Sequence, residues 1–256
     1  MSCYAYRDSQ SEELLDFHSI EVAGCAGRRW ETEAISGKIS TVLGIDRRLV
    51  RDSIVLASAL HDIGKSLMKY QTECVRGICK SFWQHYVDSV VLTAIILLEA
   101  GLPLSSSFER IKKILGGDKQ AVKDYWFDMM ILLPIALHHY HQIEGYKSLK
   151  VSEVKNLNIY SGCYPCLDRI SEYLTSILTV EEFSRVPTVL RNVGELINKD
   201  SDSISIARSY ASNLYSSITH RSSLTGLSIT KVVIESVAGI INLCDGYVAS
   251  RARAKK

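Results

Sequence analysis

Proline is scarce in this chain: four in 256 residues, about 1.6% against a usual ~5%. So few breaks argue against a turn-rich β architecture and for long helices. An excess of charge of one sign is also missing. Thirty Lys and Arg face 28 Asp and Glu, a formal +2, so no bulk cationic field points to nucleic acid or an anionic membrane. At 46% hydrophobic and 23% charged, the composition is not that of a disordered chain. The longest apolar run, Met129 to Leu137, is nine residues, where a spanning helix needs ~20. The N-terminal stretch MSCYAYRDSQSEELLDF carries charges where a signal peptide has its apolar segment. Seven cysteines are an odd number and few for a disulfide scaffold. The expectation is a soluble cytoplasmic protein with reduced thiols and no membrane partner. The single C-x-x-C, Cys163 to Cys166, has no second pair and no βαβ context, and reads as structural or incidental thiols. With no repeat, low-complexity tract or long linker, residues 1–256 read as one domain.

What is present is helical period. Ser9 and Glu12 have capping-box spacing ahead of a stripe at Leu15, His18, Val22 and Cys25. Asp46 can cap a helix with Val50, Ile54, Ala57 and His61 on one face, closed by Gly64. A third helix is expected from about Phe82 to Ala100, stopped by Gly101 and Pro103, with His85, Ser89, Leu92 and Ile96 aligned. A fourth, from about Ala121 to His141, should kink at Pro134. Pro165 opens another helix, to about Phe183, and the last runs from Ser228 to about Arg251 with Ile234, Ala238, Ile241, Asp245 and Val248 as its stripe. Ser66–Ser81, Gly145–Tyr164 and His220–Leu227 are the least regular stretches. The fold class is all-α, with at most a small β-hairpin.

Potential metal ligands fall on the faces that should be buried. His18, His61, His85 and Asp245 lie on four different helices, and the pairs His61-Asp62 and His138-His139 add more. Any one of these histidines is, taken alone, an ordinary core residue. A lone carboxylate on an apolar stripe is different, because Asp245 needs a cation or strong donors there. Imidazoles and carboxylates converging from several helices suit a metal site in a bundle core. Such mixed nitrogen and oxygen donors suit Mn, Fe, Ni, Co or Zn, and Mg can still serve in catalysis. Ala59-Leu60-His61-Asp62-Ile63-Gly64-Lys65 adds a glycine to turn the chain and a lysine placed to meet an anion.

This segment resembles the signature of the HD superfamily of metal-dependent phosphohydrolases, and Asp245 in NLCDGYVAS resembles its closing aspartate. His18 in the first helix, His85 followed by Ser89, and the tandem pair in Leu137-His138-His139 resemble the HD nucleases of type I CRISPR interference systems. The resemblance implies an HD-domain helical bundle holding two divalent ions (Mn, Mg, Ni, Co or Fe). It implies His18, His61, Asp62 and Asp245 on one ion, and Asp62, His85, His138 and His139 on the other. Asp62 would bridge, and Lys65 would face the scissile phosphate. The family often has an acidic residue where Tyr86 stands and a glycine where Tyr140 stands.

The implied activity is hydrolysis of single-stranded DNA, exonucleolytic or endonucleolytic, by two-metal chemistry. No G-x-x-x-x-G-K-[ST] phosphate loop occurs, so the helicase of the system and the guide-RNA surveillance complex are expected as separate partners. Basic clusters at Arg28-Arg29, Arg47-Arg48-Arg51, Lys65 to Lys80 and Arg251 to Lys256 survive the near-neutral total. Tyr70, Phe82 and Trp83 lie among them and could stack on unpaired bases or simply fill the core. His141 reads as a supporting residue and His220 as bland. An HD phosphohydrolase acting on a nucleotide or cyclic nucleotide, and a helical adaptor binding metal for stability alone, are the alternatives.

Overall fold

The computed structural model describes residues 2–77, 79, 82–104, 107–139, 157–199, 202–219 and 229–254. Tyr140, His141, His220, the expected Ser228 cap and most of the two later irregular stretches lie outside them.

The chain opens with an antiparallel hairpin, β1 (Tyr4–Arg7) and β2 (Glu12–Leu14). Asp8 builds its turn, because Oδ1 accepts from the N–H groups of Gln10 and Ser11 at 2.9 and 2.8 Å. The expected capping box is thereby corrected: Ser9 lies beside this turn, and Glu12 lies in β2. Helix α1 (Leu15–Arg28) starts later, with no side-chain cap. After α2 (Trp30–Leu43) comes α3 (Arg47–Leu60), where the Asp46 carboxylate caps Arg48 N–H at 2.7 Å as the sequence suggested. Every residue of α3 from Val50 to Leu60 except Arg51 is buried, so this helix runs through the middle of the bundle.

A 3₁₀ turn (Ile63–Ser66) follows, then α4 (Met68–Val75) in the stretch expected to be irregular, and α5 (His85–Glu99). Gly101, at φ 91°, takes the left-handed conformation that stops α5. Then come α6 (Phe108–Leu115), α7 (Lys119–Asp124), a π-helical turn (Asp128–Leu132) and α8 (Leu133–Leu137). The expected single kinked helix from Ala121 to His141 is therefore broken. Tyr125 leaves helical geometry at φ −131°, ψ 41°, and Pro134 falls in the first turn of α8, where its missing N–H costs little.

Pro165 does open a helix, α9 (Tyr164–Ile177), which stops short of Phe183. The buried Asp52 carboxylate of α3 takes the N–H groups of Thr179 and Val180 at 2.6 and 3.1 Å, ending α9 against the central helix. Helices α10 (Val186–Arg191), α11 (Val193–Asn198), α12 (Asp202–Thr219) and α13 (Ile229–Ala254) complete the order. The fold is all-α with one small hairpin. α1 packs on α3, α9 and α13, while α5 packs on the 3₁₀ turn, α8 and α12. Within α13, Thr230–Ala252 is long and apolar enough to cross a membrane, at mean hydropathy 1.5. Here it packs on α1 and α8, with 44% of the span buried.

The thiols depart from expectation. Cys3 is bonded to Cys163, Cys25 to Cys244 and Cys74 to Cys79, and only Cys166 is free and buried. Two of the bridges span 160 and 219 residues, a pairing that spacing cannot reveal. Cys25–Cys244 fastens α1 to α13, and Cys3–Cys163 fastens β1 to the start of α9. Such bonds belong to oxidising compartments or to intracellular proteins of hyperthermophiles, so reduced thiols no longer argue for a cytoplasmic site. Iodoacetamide on the denatured, unreduced protein should label one cysteine by mass spectrometry, and seven after reduction. Seven labelled without reduction would disprove the pairing.

Candidate metal centre

Six elements deliver the centre. His18 comes from the first turn of α1; His61 closes α3; Asp62 enters the 3₁₀ turn that also carries Lys65; His85 opens α5. His138 and His139 follow α8, and Asp245 lies on α13. All eight sequence-expected residues are thus brought together. Two sets place one ligand atom per residue within 4.8 Å of one another: His18, His61, Asp62 and Asp245, and Asp62, His85, His138 and His139.

The imidazoles are oriented from behind. Nδ1 of His61, His85 and His138 meets the carbonyl oxygens of Ser58, Phe82 and Ile135 at 2.8, 2.6 and 2.5 Å. A carbonyl only accepts, so each Nδ1 keeps its proton and each Nε2 offers a lone pair toward the centre. Those Nε2 atoms converge on Asp62: His85 at 2.9 Å and His138 at 3.7 Å from Oδ1, His18 at 3.2 Å and His61 at 3.5 Å from Oδ2. Nε2 of His61 and of His138 are buried without a hydrogen-bond partner. Buried polar atoms almost always have one, and divalent cations, one in each ligand set, would satisfy them. The residues fit the metal that an HD domain implies.

The electrostatics agree for three of the imidazoles, and His18 must lose a proton to ligate. Burial drives the pKa of His61 down to about 4 and lowers those of His85 and His139, so these rings are neutral at pH 7, the state that ligates. Burial opposes charge on His18 as well, but bonds to Asp245, Asp62 and Glu13 outweigh it and hold its pKa well above 6.5. Burial likewise opposes the charge on Asp62 and Asp245. The Lys65 ammonium on one and the His18 bond on the other win, so both stay ionised. Lys65 Nζ lies 2.6 Å from Asp62 Oδ2 and 5.0 Å above the Phe82 ring.

Three contributors were not singled out as site residues from sequence. Glu13, buried on β2, meets His18 Nδ1 at 2.7 Å; the supposed helical context of residues 12–14 hid it. Ser89, noted only as family spacing, accepts from Gly64 N–H at 2.9 Å and joins the Asp62 turn to α5. Asp88, buried one turn past His85, receives the Tyr70 hydroxyl at 2.6 Å and the Lys69 ammonium at 2.7 Å. Tyr70 and Phe82 are buried and so are core aromatics, while Trp83 is 61% exposed. The Arg47-Arg48-Arg51 cluster is offset by Glu33, Asp46 and Asp52. Lys80, Lys255 and Lys256 lie outside the described residues.

Residues 5–88, about a third of the chain, match the family model described as Cas3, HD domain. The match supports the resemblance to HD nucleases of type I CRISPR systems and implies a metal-dependent hydrolase. Comparison with curated proteins and with solved structures finds no match. His138, His139 and Asp245 lie beyond the matched segment, and it is the fold that sets them beside His18, His61, Asp62 and His85.

Proposed function

We propose, starting from the Cas3-type HD domain in residues 5–88, that this chain is a two-metal nuclease cutting single-stranded DNA in CRISPR interference. The observation that carries this reading is the convergence of imidazole Nε2 atoms from both ligand sets on the single carboxylate of Asp62. In it, His18, His61, Asp62 and Asp245 would hold one divalent ion, and Asp62, His85, His138 and His139 would hold the other. Divalent ions so placed neutralise charge on a phosphodiester and acidify water enough for attack near neutral pH.

The protein's own groups supply orientation and charge. The carbonyls of Ser58, Phe82 and Ile135 lock three ligand rings against rotation, and Glu13 locks a fourth. Lys65 is held within reach of anything Asp62 touches, so its ammonium can meet a phosphate oxygen as negative charge builds. A separate helicase and a guide-RNA surveillance complex in the cytoplasm would deliver the strand. The test is a substrate panel. With Mn²⁺ the purified protein should degrade a labelled single-stranded oligonucleotide, and EDTA should stop it. Turnover of dATP or a cyclic dinucleotide with the oligonucleotide left intact would overturn the nuclease reading in favour of a nucleotide phosphohydrolase.

A further inference from the structure

Beside the first ligand set lies a cavity of about 220 Å³ lined by Phe17, Glu21, Tyr247, Val248, Arg251 and Ala252. Phe17 and Tyr247 stay 48% and 52% exposed, and the cavity sets these two rings together. The Arg251 guanidinium lies 5.5 Å from the Tyr247 ring centre and donates to its hydroxyl at 3.1 Å. Its lining comes from the two helices that carry His18 and Asp245, within about two turns of each ligand. Phe17 precedes His18, and Val248 follows Asp245 by three residues on the same face of α13, about 4.5 Å along the axis. Asp245 is also the most accessible member of its ligand set: its side chain is 27% exposed, whereas those of His18, His61 and Asp62 are at most 3%.

We infer that this cavity is a subsite for one unpaired nucleobase, next to the phosphate bound at the metal centre. The inference rests on the nuclease reading and deepens it by explaining a demand for single strands. Two exposed rings suit stacking, which every base can do. The Glu21 carboxylate repels a phosphate but accepts from the ring or exocyclic N–H that each base carries on its pairing edge. A base already paired has that edge engaged and cannot enter. Arg251, at the rim, meets the backbone of the same nucleotide.

Fluorescence anisotropy of a labelled mixed-sequence single strand, on the full chain in EDTA, isolates binding from cleavage. Phe17→Ala and Tyr247→Ala should each raise Kd about 5- to 100-fold, and Phe17→Tyr and Tyr247→Phe should restore it. Arg251→Ala should flatten the salt dependence by about one charge. Trp30→Ala, an aromatic 74% exposed elsewhere on the surface, should change nothing. Wild-type affinity in both alanine variants, or an equal loss in Trp30→Ala, overturns the subsite while leaving the nuclease standing. No binding of single strands by the wild type, with nucleotides hydrolysed, removes the nuclease reading and the subsite with it.

Discussion

Asp62→Asn should lower oligonucleotide cleavage at least about 10³-fold while the far-ultraviolet circular dichroism stays that of a helical bundle. The magnitude follows from the charge that one carboxylate serves. Both ligand sets contain Asp62, so its loss strips an anionic donor from each, whereas loss of His18 or His139 weakens only one. Metal stabilisation of a phosphodiester transition state is worth several kcal/mol, and each 1.36 kcal/mol is a factor of ten. The shape is kept by asparagine, but four inward imidazoles and the Lys65 ammonium are left with a neutral partner. Calorimetric titration with Mn²⁺ should show both binding events weakened. Lys65→Met, which removes a point charge and no ligand, should cost less, about 10- to 100-fold. Cleavage by Asp62→Asn within tenfold of wild type would remove the bridging role.

How much of this was legible without coordinates depended on whether the information was local. The α3 stripe and its Asp46 cap are read from neighbouring residues, and both stand in the structure. The candidate ligands His18, His61, His85 and Asp245 were legible because each falls on an apolar face, where it needs a compensating partner, and the family resemblance supplied the rest. Glu13 was not, since two glutamates after a serine read as a helix start until Asp8 is seen to hold a hairpin turn. The two long-range disulfides were not, because residues 160 and 219 apart meet only through the packing of the fold, whereas Cys74–Cys79 is local and went unread. The break at Tyr125 was hidden by the apolar run that follows it, which satisfies a helix and a π-turn equally well. Of the three aromatics in Lys65–Trp83, only burial separates the two that build the core from Trp83.

Gly64→Ala should be among the most damaging single-methyl changes in the molecule, lowering stability by about 3 kcal/mol or more. A Cβ on Gly64 would lie 2.4 Å from the His85 carbonyl oxygen, 2.6 Å from Ser89 N and 2.9 Å from Asp88 Cβ. Two of these atoms are backbone, so no side-chain rotation relieves the clash, and the 3₁₀ turn must part from α5. That parting breaks the Gly64 N–H bond to Ser89 and pulls Asp62 and Lys65 away from His85. Stability and metal affinity should therefore fall together, with the thermal midpoint down by about 6–12 °C, at ~2–4 °C per kcal/mol for a chain of roughly this size. Gly239→Ala is the matched control: nothing lies within 4 Å of its added Cβ, and it sits inside α13. There alanine should stabilise by about 0.5–1 kcal/mol through lost backbone freedom of the unfolded chain. A Gly64→Ala protein that melts with the wild type and binds Mn²⁺ equally well would show that α5 and the Asp62 turn are not in the close backbone contact that aligns the two ligand sets.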